Sequence, residues 1–222
     1  MCGRFTLRER LNDLLREFAA EVRSEPFELF ERYNVCPTNR IAVIRQSNNG
    51  RELSTVQWGF VPSWAKDAKL CPINAVSETI ATKPMFRSAI KKRRCLVLAD
   101  GFYEWKKIPK KIKGDSPWLF QVKGGEPFAF AGIWERWGES LESCAILTTT
   151  PNTLMAPIHD RLPVILSPGD YDAWLDPAMN DPDKLTYLYE PFPASEMTMT
   201  RVSVYVNKAG NEGEACLEPN TT

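Results

Sequence analysis

The cysteine at the second position is the residue of this chain with the most distinctive chemistry. The sequence begins Met1-Cys2-Gly3, and initiator methionines are removed when the next side chain is small, as cysteine is. Cys2 would then carry a free α-amine beside its thiol. The amine can condense with an aldehyde to an imine, and the thiol can close on the imine carbon to form a thiazolidine ring. An α-amine titrates near pH ~8 and a thiol near ~8.5, so both groups are partly nucleophilic at neutral pH. The alternative is an inert buried cysteine, which is common.

A second group of residues could move protons or orient a carbonyl. His159 is the only histidine, and a histidine transfers protons near neutral pH. Glu104 lies between Tyr103 and Trp105, and a carboxylate among aromatic rings suits a proton shuttle. Asn74 could hydrogen-bond a reacting carbonyl. The plain structural alternatives are a core imidazole, a surface carboxylate packed between rings, and a turn cap.

Aromatic and guanidinium side chains beside these residues suggest a nucleic-acid contact. Trp64 and Trp105 lie next to loop residues and could stack on bases, each worth about 1–3 kcal/mol. Arg4, Arg87 and Arg161 could hold phosphates bidentately. Ordinary core packing and ordinary salt bridges are the alternatives for both sets.

The composition indicates a globular domain without a strong electrostatic bias. Hydrophobic residues make up 43% and charged residues 25% of the 222 positions, and we expect a single domain over 1–222. Basic and acidic residues number 28 each, which argues against a protein that coats nucleic acid by bulk attraction. Local basic runs at 91–94 and 106–113 fit either a basic track or a solvated loop.

The expected cellular location, and the expectation of no cofactor, rest on features that the sequence lacks. Charges throughout the first thirty residues leave no signal peptide or membrane-spanning run, so we expect a cytoplasmic protein with no membrane partner. Six scattered cysteines without a CxxC pair should stay reduced in that compartment. With one histidine and no paired ligand spacing, we expect no metal, no other cofactor and a monomer.

The elements that must position these residues can be read from apolar spacing. A helical pattern predicts an amphipathic helix over about 7–22, and Thr6 with Glu9 fits a capping box at its start. Later helices are predicted at about 151–157, 168–175 and 182–190. Short β-type runs lie at 41–45, 53–58, 94–99, 118–123, 127–134, 143–148, 162–166 and 202–206.

This succession predicts an α+β fold in which a mixed or antiparallel β sheet curls into a barrel-like core with peripheral helices. The polar, Gly-rich stretch of about 208–222 is expected to form a loosely ordered tail.

Five short motifs, taken together and in this order, resemble the SRAP (SOS response-associated peptidase) family from Cys2 to about Asn207. The joint pattern is highly specific, although each piece alone is weak. The motifs are Cys2-Gly3-Arg4-Phe5, Asn34-Val35-x-Pro37, Asn74-Ala75 through Glu78-Thr79, Phe102-Tyr103-Glu104-Trp105 and His159-Asp160-Arg161-x-Pro163.

The resemblance implies a protein that shields abasic sites in single-stranded DNA during the DNA damage response, with Cys2 bonded to the ring-opened sugar aldehyde after loss of Met1. It implies assistance by Asn74, Glu104 and His159, and a basic groove including Arg4 and Arg161. The imine intermediate leaves β-elimination of the 3′ phosphate open as a lyase side reaction, and ring closure by the thiol competes with it.

Two positions depart from the family pattern. Val76 stands where the family usually has an arginine thought to hold backbone phosphate, which puts DNA affinity in doubt, and Arg87 or the lysine-rich loop would have to compensate. Cys36 replaces the usual alanine before Pro37, which should change only packing.

Three other functions remain open at this point. An N-terminal-nucleophile amidohydrolase also begins Met-Cys-Gly, but that chemistry gives Glu104 and His159 no role. A thiol peptidase, acting on its own N-terminal methionine, is consistent with a cysteine and a histidine. A non-covalent single-strand binder would leave Cys2 inert.

Overall fold

The structure is a computed structural model, and it describes residues 2–23, 31–106 and 117–220. Its helices are short: α1 Leu11–Glu17, α2 Ala89–Lys92 and α3 Tyr171–Leu175, with single turns of 3₁₀ helix between strands and a longer 3₁₀ helix at Pro182–Tyr189. The strands are β1 Arg4–Leu7, β2 Ala20–Val22, β3 Arg32–Val35, β4 Arg40–Ser47, β5 Gly50–Trp58, β6 Asn74–Val76, β7 Arg94–Ala99, β8 Gly101–Glu104, β9 Trp118–Val122, β10 Phe128–Trp137, β11 Leu141–Thr149, β12 Leu162–Pro163, β13 Ile165–Leu166 and β14 Met197–Arg201.

Five of these strands close into a barrel. The antiparallel order β11-β10-β7-β4-β5 returns to its start because β5 also pairs with β11, in parallel. Closure leaves no free edge along these five strands. Strands β6 and β12 attach to β11, and β2 attaches to β5. The α+β fold with a barrel core and peripheral helices is confirmed.

The barrel strands bury both faces, so their apolar residues run continuously. In β7 all six residues are buried, and alternate positions face different clusters. Leu96 and Leu98 pack in the cluster that contains the helices, whereas Cys95, Val97 and Ala99 pack in the cluster that contains Cys2. This alternation is the two-residue period of a β strand. Cys2 therefore lies against one face of the barrel wall.

A second sheet of five strands, β14-β9-β8-β1-β3, covers that face. Strands β1 and β8 pair antiparallel, with Arg4 opposite Tyr103 and Phe5 opposite Phe102. Asp100, fully buried at the corner before β8, accepts hydrogen bonds from the Thr6 hydroxyl and from the Arg8 main-chain N–H. The N-terminal strand is thus fixed to the corner that leads to Glu104.

The N-terminal helix prediction was wrong in its extent. The helix covers only Leu11–Glu17, and the ends of the predicted 7–22 segment belong to β1 and β2. Thr6 is a strand residue bonded to Asp100 rather than a helix cap, and the residue at the cap position, Arg10, makes no side-chain cap bond. Phe5 and Leu7 alternate with Thr6 as in a strand, and long-range pairing with β8 decides the outcome.

Other boundaries differ less. The predicted strand 202–206 is mostly a turn of 3₁₀ helix, Val204–Asn207, and the predicted helix near 151–157 consists of turns. The helices predicted at 168–175 and 182–190 are present, the second as 3₁₀ helix. No helix in the described part of the chain is long and apolar enough to cross a membrane.

Candidate active site

Cys2 lies immediately before β1 and is almost completely buried, with 1% of its surface exposed. It packs in the apolar cluster that includes Phe5 and Trp58, and its Sγ is 3.8 Å from the carbonyl oxygen of Arg4. Burial, with a further contribution from the negative charge of Glu104, raises the pKa of the Cys2 thiol far above its ordinary value. The thiol is therefore protonated at neutral pH in this state.

Asn74 contacts the cysteine directly. Its strand β6 runs parallel to β11, with Asn74 opposite Ile146, and this pairing brings the side chain to the N-terminal segment. The amide Nδ2 donates a hydrogen bond of 2.8 Å to the carbonyl oxygen of Cys2. The other amide atom, Oδ1, is buried and has no hydrogen-bond partner among the described residues. A buried acceptor without a donor is unfavourable, so this oxygen is ready to accept a bond from an amine or a hydroxyl.

Glu104 reaches the same place from the end of β8. Because Arg4 is opposite Tyr103 in the antiparallel pair, Glu104 lies one position further along, beside the start of β1. Only 6% of Glu104 is exposed, and its Oε1 accepts a bond of 3.2 Å from the Trp105 main-chain N–H. Its negative charge acts on the Cys2 thiol and contributes to the raised pKa of that group, so the carboxylate lies in the neighbourhood of the cysteine.

His159 follows the turns of 153–158 and is held by its own loop. Its Nδ1 accepts a hydrogen bond of 3.0 Å from the Arg161 main-chain N–H and lies 3.0 Å from Asp160 Oδ1. The first contact requires a lone pair on Nδ1, and the second requires a proton on the same nitrogen. Only one of the two contacts can therefore be a hydrogen bond at a time. The preceding Ile158 packs in the apolar cluster that contains Cys2, which puts the loop on the same side of the barrel.

Arg161 is paired with a carboxylate. Its two terminal nitrogens donate to the two oxygens of Glu78 at 2.6 and 2.8 Å, and one of them also donates to the Thr148 carbonyl. These bonds lower the pKa of Glu78 to about 2. Val76, on β6, is opposite Thr148, so this pair lies beside the position where the family pattern has arginine. The sequence singled out Glu78 only as part of a motif and gave no sign of this partner.

The other predicted DNA contacts differ in accessibility. Trp64 is 64% exposed on the loop between β5 and β6, and Trp137 anchors that loop through a bond of 2.7 Å to the Ala65 carbonyl. Arg87 is also exposed. Arg4 and Trp105 instead donate hydrogen bonds to residues near the C-terminus. Of the basic loop 106–113, only Lys106 lies within the described residues.

The structure therefore brings Asn74 into contact with Cys2, lets the charge of Glu104 act on the Cys2 thiol, and sets His159 in a loop on the same side of the barrel. Of the predicted DNA contacts, Trp64 and Arg87 are exposed. Within the described ranges, no group of three His, Cys, Asp or Glu side chains could hold a metal ion. The arrangement places a buried thiol, a buried carboxylate and a buried amide acceptor on one side of the barrel.

Comparison with known proteins agrees with these motifs. A family model described as SOS response associated peptidase (SRAP) matches residues 1–209. The abasic site processing protein YoqW of Bacillus subtilis is 40% identical to this chain, over 98% of the chain and 99% of that protein. The abasic site processing protein YedK of Escherichia coli is 31% identical, over 99% and 100%. A crystal structure of a protein from Bacteroides thetaiotaomicron superposes with a TM-score of 0.87 at 25% identity, covering 99% of this chain and 100% of that one.

Proposed function

The chain belongs to the SOS response-associated peptidase (SRAP) family of abasic site processing proteins, and on this basis we propose that it traps abasic sites covalently through Cys2. The substrate is the ring-opened aldehyde of an abasic deoxyribose in single-stranded DNA. The product is a thiazolidine that joins the protein to an intact strand and shields the lesion during the DNA damage response. The observation that carries this proposal is the contact of Asn74 with Cys2, beside the carboxylate of Glu104.

The chemistry begins with opening of the closed hemiacetal sugar. Glu104 removes the proton of the sugar hydroxyl as the C–O bond of the ring breaks, and His159 protonates the released ring oxygen. The amine then adds to the aldehyde carbon to give a carbinolamine. Glu104 gives its proton to the departing hydroxyl, His159 accepts the proton that the nitrogen loses, and one water molecule leaves to give the imine. Attack by the amine comes first because the raised pKa of the buried Cys2 thiol keeps the sulfur protonated.

Ring closure completes the reaction. The thiol adds across the C=N bond, its sulfur bonding to the carbon and its proton passing, through Glu104, to the nitrogen. The free Oδ1 of Asn74 accepts a hydrogen bond from the amine or from a sugar hydroxyl and so holds the reacting groups together. Closure competes with β-elimination, which makes strand cleavage a minor side reaction.

The reaction requires that Met1 be removed, because an amide nitrogen does not form an imine. We propose that Met1 is removed either by a methionine aminopeptidase or by the thiol of the protein itself. The second route would be a peptidase activity, as the family name indicates. The raised pKa of Cys2 disfavours the second route, since the thiolate is the nucleophile of a thiol peptidase.

DNA is proposed to be held by the exposed Trp64 and Arg87 and by Arg161. The other two predicted DNA contacts, Arg4 and Trp105, instead bond to residues 206 and 207. Stacking of a base on an exposed tryptophan is worth about 1–3 kcal/mol. Binding as a monomer in the cytoplasm, without metal or other cofactor, completes the proposal.

The proposal is tested with a labelled single-stranded oligonucleotide that carries one abasic site. Wild-type protein should give a slowly migrating band on a denaturing gel, and Cys2→Ala should abolish it. Both Cys2→Ala and Cys2→Ser retain the α-amine once Met1 is removed, so each should give only an imine, which borohydride traps and hot denaturant otherwise dissociates. Cys71→Ala is the matched control because Cys71 is the least buried cysteine among the described residues.

A denaturant-resistant crosslink from Cys2→Ala without borohydride, or equal retention of DNA that lacks the lesion, would contradict the covalent mechanism. The intact mass of crosslinking-competent protein should lack one methionine. If the purified protein retains Met1 and still crosslinks, the amine cannot be the nucleophile.

A further inference from the structure

The segment 204–212, here called the C-terminal clasp, is bonded to the strand that carries Cys2. Arg4 donates from one terminal nitrogen to the Val206 carbonyl at 2.7 Å and to Asn34 Oδ1 at 2.8 Å. Its other terminal nitrogen donates to the Asn207 carbonyl at 3.4 Å. The guanidinium two residues from Cys2 therefore joins β1 to the clasp rather than lying free in a groove.

Asn34 reinforces the same junction from β3. Its side chain is fully buried, and its Nδ2 lies within hydrogen-bond distance of three clasp carbonyls, those of Val206, Lys208 and Asn211, at 2.9–3.2 Å. A buried amide with all of its polar atoms engaged fixes the chains that contact it, because breaking the contacts would leave polar groups unsatisfied.

The clasp also covers the edge of the second sheet. Strand β3 is the last strand of that sheet. The carboxylate of Glu212 accepts bonds from two successive main-chain N–H groups of β3, those of Tyr33 and Asn34, at 2.7 and 3.2 Å. The clasp therefore stands where a further strand would pair, and it satisfies donors that an open edge would expose.

The other side of the active site is connected to the clasp through Trp105. Its indole Nε1 donates a bond of 2.8 Å to Asn207 Oδ1, and Trp105 directly follows Glu104. Asn207 thus bonds to Arg4 through its carbonyl and to Trp105 through its side chain. One residue of the clasp is bonded to neighbours of both Cys2 and Glu104.

We propose that the C-terminal clasp sets the position of Cys2 relative to Glu104, and that Arg4, Asn34 and Asn207 are positioning residues for the crosslinking reaction. This inference rests on the function proposed above. Cys2 precedes the paired residues of β1, which begin at Arg4, so the bonds of Arg4 to the clasp limit the movement of Cys2 relative to Glu104. Small displacements of reacting groups have large effects on rate, up to about a hundredfold for a shift of about 1 Å.

The test separates positioning from DNA contact by measuring two quantities for each variant. The first is the rate of crosslinking at saturating protein, followed on a denaturing gel. The second is the Kd for the same single strand carrying a tetrahydrofuran analogue, which has no aldehyde. The variants are Arg4→Lys, which keeps the charge but loses the fork, and Asn207→Ala, which removes the acceptor of Trp105.

Arg40→Lys is the matched control. Arg40 also makes three side-chain hydrogen bonds, all to Thr55, on a barrel strand outside the site and the clasp. Positioning predicts that Arg4→Lys and Asn207→Ala lower the saturated rate about tenfold or more while Kd changes less than about twofold. Arg40→Lys should leave both quantities at the wild-type value. A higher Kd with an unchanged saturated rate, or no change in either, would overturn the inference.

A hydrogen-exchange measurement tests whether the clasp holds β1 in place, and it does not depend on the proposed function. In the absence of DNA, the main-chain amides of Arg4–Leu7 should exchange faster in Arg4→Lys than in Arg40→Lys. Equal exchange in the two variants would contradict the proposed role of the clasp, even if the wild-type protein crosslinks. If the wild-type protein forms no crosslink, the proposed function fails, and faster exchange in Arg4→Lys alone would still support the clasp as the element that fixes β1.

Discussion

The pair formed by Glu78 and Arg161 makes the stability of this protein depend on pH in a calculable direction. The bonds from Arg161 lower the pKa of Glu78 from 4.5 to about 2. At about 1.4 kcal/mol per pH unit, this difference corresponds to at most about 3 kcal/mol of stability. Because 47% of the Glu78 side chain is exposed, solvent screening reduces the expected value to about 1 kcal/mol.

The direction of this pH dependence follows from whether the folded or the unfolded state binds the Glu78 proton more tightly. A carboxylate with a lowered pKa in the folded state contributes its full stability above the unfolded value of 4.5 and loses it as the pH falls toward about 2. Glu78→Gln should therefore lower the free energy of unfolding by about 1 kcal/mol at pH 7. The difference between variant and wild type should shrink through the window from about pH 5 to pH 2.

Urea unfolding followed by tryptophan fluorescence, at several pH values between 3 and 7, measures this difference. Asp172→Asn is the matched control because Asp172 also pairs with an arginine, Arg51, at 2.7 Å, but 87% of its side chain is exposed. For Asp172→Asn we expect the free energy of unfolding to fall by less than about 0.5 kcal/mol, with little pH dependence. A Glu78→Gln deficit that is equal at pH 7 and pH 3, or no larger than that of Asp172→Asn, would refute the reasoning.

Three other outcomes are expected. Asn74→Ala should slow crosslinking by about two- to tenfold at saturating protein, since a hydrogen bond worth about 0.5–1.5 kcal/mol to the Cys2 carbonyl is lost. An unchanged single-turnover rate would contradict its role. Val76→Arg should steepen the salt dependence of binding to single-stranded DNA by about 0.7 in the log–log slope, and an identical slope would show that this position does not meet phosphate. Gly101→Ala should destabilise the fold by about 1–3 kcal/mol in urea, because its Cβ would lie 2.9 Å from the Thr6 hydroxyl oxygen. Gly169→Ala, where the added carbon meets nothing within 4 Å, is the control, and equal stability of both variants would argue against the packing.

The longer strands could be predicted from the sequence because they are buried on both faces. Runs such as 94–99 and 143–148 are continuously apolar and coincide with β7 and β11. The short strands β3 and β6 were not predicted because three or four residues are too few to display a period. They pair with β1 and β11, which are distant in the chain, and β6 carries Asn74.

The role of Asn34 illustrates what local patterns cannot supply. In the sequence it belongs to a turn motif before Pro37, and nothing near it indicates a bond to residue 206 or 211. Its buried side chain reaches carbonyls more than 170 positions away. The stretch expected to form a loose tail from 208 contains Glu212, which caps the edge of β3, and Asn220, whose main-chain N–H donates to the Arg201 carbonyl.

The sequence by itself supplied the proposed reactive residue, a cysteine directly after Met1, and the ordered motifs determined the family. Only the tertiary structure decided that Asn74 meets Cys2 across 72 positions, that the charge of Glu104 acts on the Cys2 thiol, and that Arg161 is already bound by Glu78. The physical reason is that the reactivity of a side chain depends on its residue type, whereas the contacts it makes depend on strand register and barrel closure. Those are set by the burial of many apolar side chains at once, and no single motif records them.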